Sequence, residues 1–219
     1  MLEENKTVVR RELSDEDILD VLIENGMIDA YYYFQDSSNR RFYLNDYVLH
    51  ETVDGIVQQI IKINIDDMGV DEKDRKPIVI FLDTYGGDFY SGFKLIDVME
   101  SSKTPVVVVN MACCYSMGLY ICMAGHKRYS LKNARFLLHD GDLGVQNSAV
   151  KVQDFIKFND NMKDKEREYV ISHSNISDEE YDTKMGHDWY MFADEAKELG
   201  IIDEIIGEGG VSLDDIFKR

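Results

Sequence analysis

Two short runs constrain this chain more than anything else in it. Pro77-Ile-Val-Ile-Phe-Leu82 and Pro105-Val-Val-Val-Val-Asn110 are apolar at successive positions, with no polar alternation. A strand with one face in water alternates; one that does not must be covered on both faces. The chain has only two prolines, and each opens one of these runs. A strand start is where a missing N–H is tolerated. Small residues and a helical pattern follow each run: Tyr85-Gly-Gly87 and then 91–100, and Met111 to Gly118 and then an apolar stretch to Ala124. Strand, turn and helix in repetition define an α/β fold with a sheet covered by helices.

The rest of the chain extends the pattern. Arg41 to Leu44 reads as a short strand. Residues 52–66 read as an amphipathic helix with Val53, Ile56, Val57, Ile60 and Ile61 on its apolar face. A charged loop spans 68–76. A strand over 134–138, a long helix over 150–172, a helix capped by Ser177, a helix over 193–199 and a strand over 201–206 complete the series. Residues 1–39 stand apart. Ser14-Asp-Glu-Asp17 caps a helix to about Asn25, Tyr31-Tyr-Tyr-Phe34 reads as strand or docking surface, and Gln35 to Asn39 as a turn. The expected organisation is a divergent N-terminal segment, 1–39, followed by one domain, 40–219.

Forty-two acidic residues against 24 basic ones give a formal net charge of −18, which repels phosphate backbones and argues against nucleic acid. No apolar run approaches the roughly 20 residues that span a bilayer. The first residues lack a basic stretch followed by an apolar one, so the expected address is cytoplasmic. Cys113, Cys114 and Cys122 form no CxxC pair and no zinc-ligand spacing. They read as buried small hydrophobes, with a redox switch as the alternative. No metal or cofactor is expected.

Chemistry concentrates at the second strand–helix junction. Ser116 there either caps the helix or is a nucleophile whose neighbour, Met117, offers its N–H to an oxyanion. His139 ends an apolar strand and is a candidate general base. Asp188, among aromatic residues, could orient an imidazole or stand as an exposed carboxylate. Gly86 and Gly87 permit close backbone approach, yet match neither phosphate-binding glycine pattern.

Taken in order, these motifs resemble the Clp protease proteolytic subunit family. They are Gly-Gly, Met-Ala-x-x-x-Ser-Met-Gly, a strand ending in His, and His-Asp-Trp-Tyr-Met-x-Ala-x-Glu-Ala-x-x-x-Gly-Ile-Ile-Asp. The resemblance spans about Arg40 to Ile206. It implies a crotonase-like α/β fold with a long handle helix, Val150 to Ser172. It implies Ser116 as nucleophile, His139 as base, Asp188 as its orienting partner, and Gly86, Gly87 and Met117 around the oxyanion and substrate. It further implies a serine endopeptidase working on unfolded polypeptide inside two stacked heptameric rings. A AAA+ unfoldase of the ClpX, ClpA or ClpC type would feed the rings and consume the ATP. Gly144 to Ser148 falls where the family has a strand that aligns substrate. The chain departs from the family at Thr84-Tyr85, at Asp140-Gly141, at loop 68–76 and at Tyr115, which would crowd the pocket beside the serine. Three other readings share the fold: a non-catalytic paralogue in mixed rings, a phage-type head-maturation protease, and a crotonase-type acyl-CoA enzyme.

Overall fold

The computed structural model describes residues 14–217. They divide into two compact units between Asn39 and Arg40.

The first unit is a pair of helices. Helix α1, Asp15–Glu24, starts at a capping box. The Asp17 N–H donates to Ser14 Oγ, and the Ser14 N–H donates back to the Asp17 carboxylate. Helix α2, Ile28–Ser38, contains Tyr31 to Phe34 and Gln35 to Ser38. The aromatic tract is therefore helical rather than a strand, and the expected turn is the last helical turn, closed by Asn39. Aromatic residues favour strands only where a neighbouring strand pairs with them. Here α2 packs against α1 instead.

The second unit carries a seven-stranded sheet. Its strands are β1 Arg41–Leu44, β2 Ile78–Thr84, β3 Val106–Tyr115, β4 Lys127–Leu131, β5 Arg135–Leu138, β6 Trp189–Phe192 and β7 Glu204–Ile206. The main order is β1-β2-β3-β4-β7, all parallel. β3 is longer than its apolar run. Its first half pairs with β4, while Cys113 to Tyr115 pair with β5, which pairs in turn with antiparallel β6. The register of β2 and β3 shifts after Leu82, where the strand changes neighbours. The small residues before Ser116 are thus strand, not loop.

Helices α3 His50–Asp66, α4 Phe89–Glu100, α5 Met117–Met123, α6 Ala149–Ser172, α7 Asp178–Lys184 and α8 Ala193–Glu198 complete the unit. All six place residues in one large cluster of buried side chains with Ile78, Ile80, Leu82, Val106 and Val108. The alternate strand residues Val79, Phe81, Val107 and Val109 form a second, smaller cluster closed by Tyr129, Ile206 and Ile216. Both faces are buried, as the sequence requires, but the helices mass on one of them. On α3 the expected face holds at Val53, Ile56, Val57 and Ile60, but its last member is Ile63, while Ile61 is exposed. The stretch Gly144 to Ser148 is exposed and is not a strand in the single chain.

Candidate active site

Ser116 stands between β3 and α5 with φ 53° and ψ −124°. A side chain at positive φ is strained, and non-glycine residues accept it where surrounding structure enforces it. Three contacts enforce it here. The Ser116 N–H donates to Leu137 O at 2.9 Å, tying the serine to β5. Gly118 lets α5 approach β2 closely, since a Cβ there would meet Thr84 Cγ2 at 2.5 Å. Gly86, at φ +91°, fits beneath the turn, where a Cβ would lie 2.6 Å from Tyr115 O and 2.8 Å from Ser116 Cβ. The serine side chain makes no capping hydrogen bond. The bland role the sequence left open for Ser116 is thus unfilled, and the hydroxyl stands at a sharp strand-to-helix turn.

The glycine pair leads from β2 to α4. Val48 N–H donates to Gly86 O at 2.8 Å, and Asp88 N–H donates to Val48 O at 2.6 Å. The Gly86 N–H is engaged by Thr84 Oγ1 at 3.1 Å. The amides of Gly87 and Met117 have no partner among the described residues. A Cβ on Gly86 would lie 3.0 Å from Met117 N, so the pair and that amide adjoin. The Met117 side chain is buried against Gly92.

His139 follows β5. Its Nδ1 lies 3.6 Å from Asp188 Oδ1, an ion-pair separation rather than a hydrogen bond. Asp188 sits just before β6, and the β5–β6 ladder carries it to His139. It also accepts from Tyr190 Oη at 3.3 Å. His139 Nε2 is buried without a hydrogen-bond partner.

Ser116, His139, Gly86, Gly87 and Met117 all line one cavity of about 500 Å³. Helix α6 forms its far wall through Phe155, Met162 and Glu166. Asp188 does not line it. Neither does Tyr115, whose ring packs edge-on against Tyr85 and Tyr190, with centroids 5.7 and 5.8 Å away. Tyr115 therefore does not crowd the cavity directly; its ring packs behind Tyr85, which does line it. Asp140 is paired with Lys163 at 3.6 Å.

All three thiols are buried. Burial pushes the Cys113 thiol up to about 11, helped by its hydrogen bond to Asp83, and raises Cys114 further. Neither is a thiolate at neutral pH, which supports the packing role. No group of residues suited to a metal ion occurs among the described residues. No described helix is long and apolar enough to cross a membrane.

Among the cavity residues that escaped the sequence reading are Tyr120, hidden in an apolar helix, and Glu166, one acid among 42.

Fold and cavity together define a class: an α/β protein with a strained serine at a strand–helix elbow, a half-buried histidine in the same cavity and two amides beside it with no partner among the described residues. The family follows from the comparison with known proteins. The family model described as Clp protease matches residues 27–209, so the chain belongs to the Clp protease family. It is similar to the "ATP-dependent Clp protease proteolytic subunit 2" of Treponema pallidum (strain Nichols). The two are 26% identical over 169 residues, which is 76% of this chain and 82% of the relative.

Proposed function

We propose that this protein is a serine endopeptidase with Ser116, His139 and Asp188 as its triad. The observation that carries this reading is the buried His139 Nε2, which lacks a partner and lines the same cavity as Ser116. A buried polar atom left unpaired costs stability, and a substrate-engaged serine hydroxyl would satisfy it. Ser116 Oγ attacks the peptide carbonyl carbon while its proton passes to His139 Nε2. Asp188 holds Nδ1 and balances the imidazolium. The amides of Gly87 and Met117 receive the oxyanion, and the imidazolium then protonates the leaving amine. Gly86 supports both amides without donating, because its N–H is occupied.

The chamber reading rests on the family and on α6. This helix has 24 residues, yet only Val170 is buried, while Val150, Ile156 and Phe158 are exposed. A long helix that exposes apolar residues around its circumference suits the interface of a ring assembly. The assembly would be two stacked seven-membered rings in the cytoplasm, fed with unfolded chains by a AAA+ unfoldase. This chain then needs no cofactor of its own. The open Ser116–His139 pair also fits a subunit that becomes active only beside a paralogue in a mixed ring.

Fluorophosphonate labelling tests the proposal. The assembled protein takes up label, Ser116→Ala does not, and the particle mass corresponds to about fourteen subunits. Label persisting in Ser116→Ala refutes the nucleophile. Labelling and peptide cleavage that arise only after mixing with a paralogue select the mixed-ring reading.

A further inference from the structure

The cavity beside Ser116 is acidic where its apolar walls end. Three carboxylates line it, Asp140, Asp142 and Glu166, against one ammonium, Lys163. Asp140 is the group that engages Lys163. Glu166, one turn further along α6, makes no hydrogen bond or ion pair with any described residue. The hydroxyl of Tyr120, whose side chain is 3% exposed, also lines the cavity and has no hydrogen-bond partner. Burial first, then the Glu166 carboxylate and Tyr181 of α7, disfavour its ionisation. Two unsatisfied acceptors thus share one recess with the proposed nucleophile, and Phe155 and Met162 flank it with apolar surface.

We infer that Glu166, with Tyr120, makes this recess a specificity pocket for a basic side chain, so that the protein cleaves after lysine or arginine. The inference rests on the peptidase reading above and adds the substrate class. A lysine or arginine stem is apolar and lies well along Phe155 and Met162, while its cationic head seeks acceptors. The head supplies what the structure lacks: donors for an unpaired carboxylate and an orphan hydroxyl. A leucine in the same place would leave the half-buried carboxylate and the buried hydroxyl unpaired, and sites built for hydrogen bonding reject ligands that cannot make the bonds.

Electrostatics agree. Burial pushes the Glu166 carboxyl up to about 7, with Asp140 adding to the rise and Lys163 opposing it. The groups facing it from α5 and α7, Tyr120 and Tyr181, are neutral phenols, their ionisation disfavoured by burial. An arriving cation favours the ionised carboxylate, so cleavage after lysine should strengthen as pH rises through 7.

Internally quenched peptides differing only in the residue before the cleaved bond test this on the assembled full-length protein. Wild type should cleave after Lys or Arg about 10- to 100-fold more efficiently in kcat/KM than after Leu. Glu166→Gln should lose most of that ratio, and Glu166→Leu should reverse it, with fluorophosphonate labelling of Ser116 retained in both. A wild type that favours Leu, or a Glu166→Gln that keeps the basic preference, overturns the inference while labelling leaves the peptidase reading standing. Absence of both label and cleavage for every peptide overturns the peptidase reading and this one with it.

Discussion

The glycine under the elbow offers the sharpest quantitative test. Gly86 and Gly207 share the same φ, +91°, but differ in surroundings. A Cβ at Gly207 meets nothing within 4 Å, whereas one at Gly86 meets Tyr115 O at 2.6 Å, Ser116 Cβ at 2.8 Å and Met117 N at 3.0 Å. Both alanine variants carry the backbone cost of a side chain at positive φ, about 1–2 kcal/mol. Only Gly86→Ala adds a steric cost, and its neighbours are two backbone atoms and a Cβ fixed to the backbone, none of which can swing aside. Overpacking of this kind adds about 1–3 kcal/mol. The expected losses on urea unfolding, at one protein concentration, are then about 1–2 kcal/mol for Gly207→Ala and about 2–5 kcal/mol for Gly86→Ala. The functional difference should be larger. Relieving the clash moves the Ser116 backbone or the Met117 amide, and misplacing one oxyanion donor costs about 100-fold or more in turnover. Gly207→Ala should label with fluorophosphonate at the wild-type rate, while Gly86→Ala should label far more slowly at a temperature where both remain folded. Equal labelling rates would show that the glycine pair does not position the nucleophile.

Two further outcomes follow from charge. Asp67 is held well below the usual carboxylate range, first by the Arg40 guanidinium, which binds it at 2.6 and 2.8 Å, and also by Thr104 Oγ1 at 2.8 Å. A depressed carboxylate stabilises above its unfolded pKa, near 3.9, and loses that contribution as pH falls through the folded value. Asp67→Asn should therefore cost about 3 kcal/mol at neutral pH, and should show a shallower fall in stability below pH 4 in urea titrations. An unchanged acid limb would refute the pairing. Glu166 has the opposite sign: its folded pKa, about 7, exceeds its ordinary value of 4.5. Between those values the folded chain holds a proton the unfolded chain has released, so stability falls as pH rises across that window. Glu166→Gln should be the more stable variant at pH 8 and gain little at pH 4; equal gains at both would remove the carboxyl as the cause.

What the sequence revealed and what it hid have physical causes. β2 and the first half of β3 were legible because burial on both faces removes polar residues altogether. β4 was not, because Lys127 and Arg128 sit in it. They ion-pair with Asp203 beside the strand, and the Arg128 stem is half-buried. β6 is four residues long with alternate burial, too short for periodicity to rise above the aromatic content. The continuation of β3 through Cys113 and Cys114 was hidden because small residues look like a turn until β5 supplies a second pairing partner. Ser116, His139 and the glycine pair were legible from their places at element junctions. Glu166 was not: on a polar helix it resembles every other solvated acid, and only the packing of α6 over the elbow turns that position inward. Tyr115 failed as a predictor for a related reason. Its ring packs with Tyr85 and Tyr190, neighbours that nearness in sequence to Ser116 does not reveal.

The fork in β3 has a mechanical consequence. Ser116, His139 and Asp188 hang from the ends of β3, β5 and β6, three strands laced directly to one another. Gly87 belongs to β2 and the Val48 bridge, outside that trio. Three parts of the machinery therefore ride on one raft, and the fourth is moored to the bank. A force that twists the sheet along the β2–β3 seam, where the register already slips after Leu82, would leave the proposed triad intact while widening the gap to one of the two amides proposed to bind the oxyanion. That seam is then a soft coordinate across the proposed chemistry, and a neighbour that presses on Tyr47 or Leu49, the exposed residues on either side of buried Val48, would throttle turnover without touching serine, histidine or aspartate.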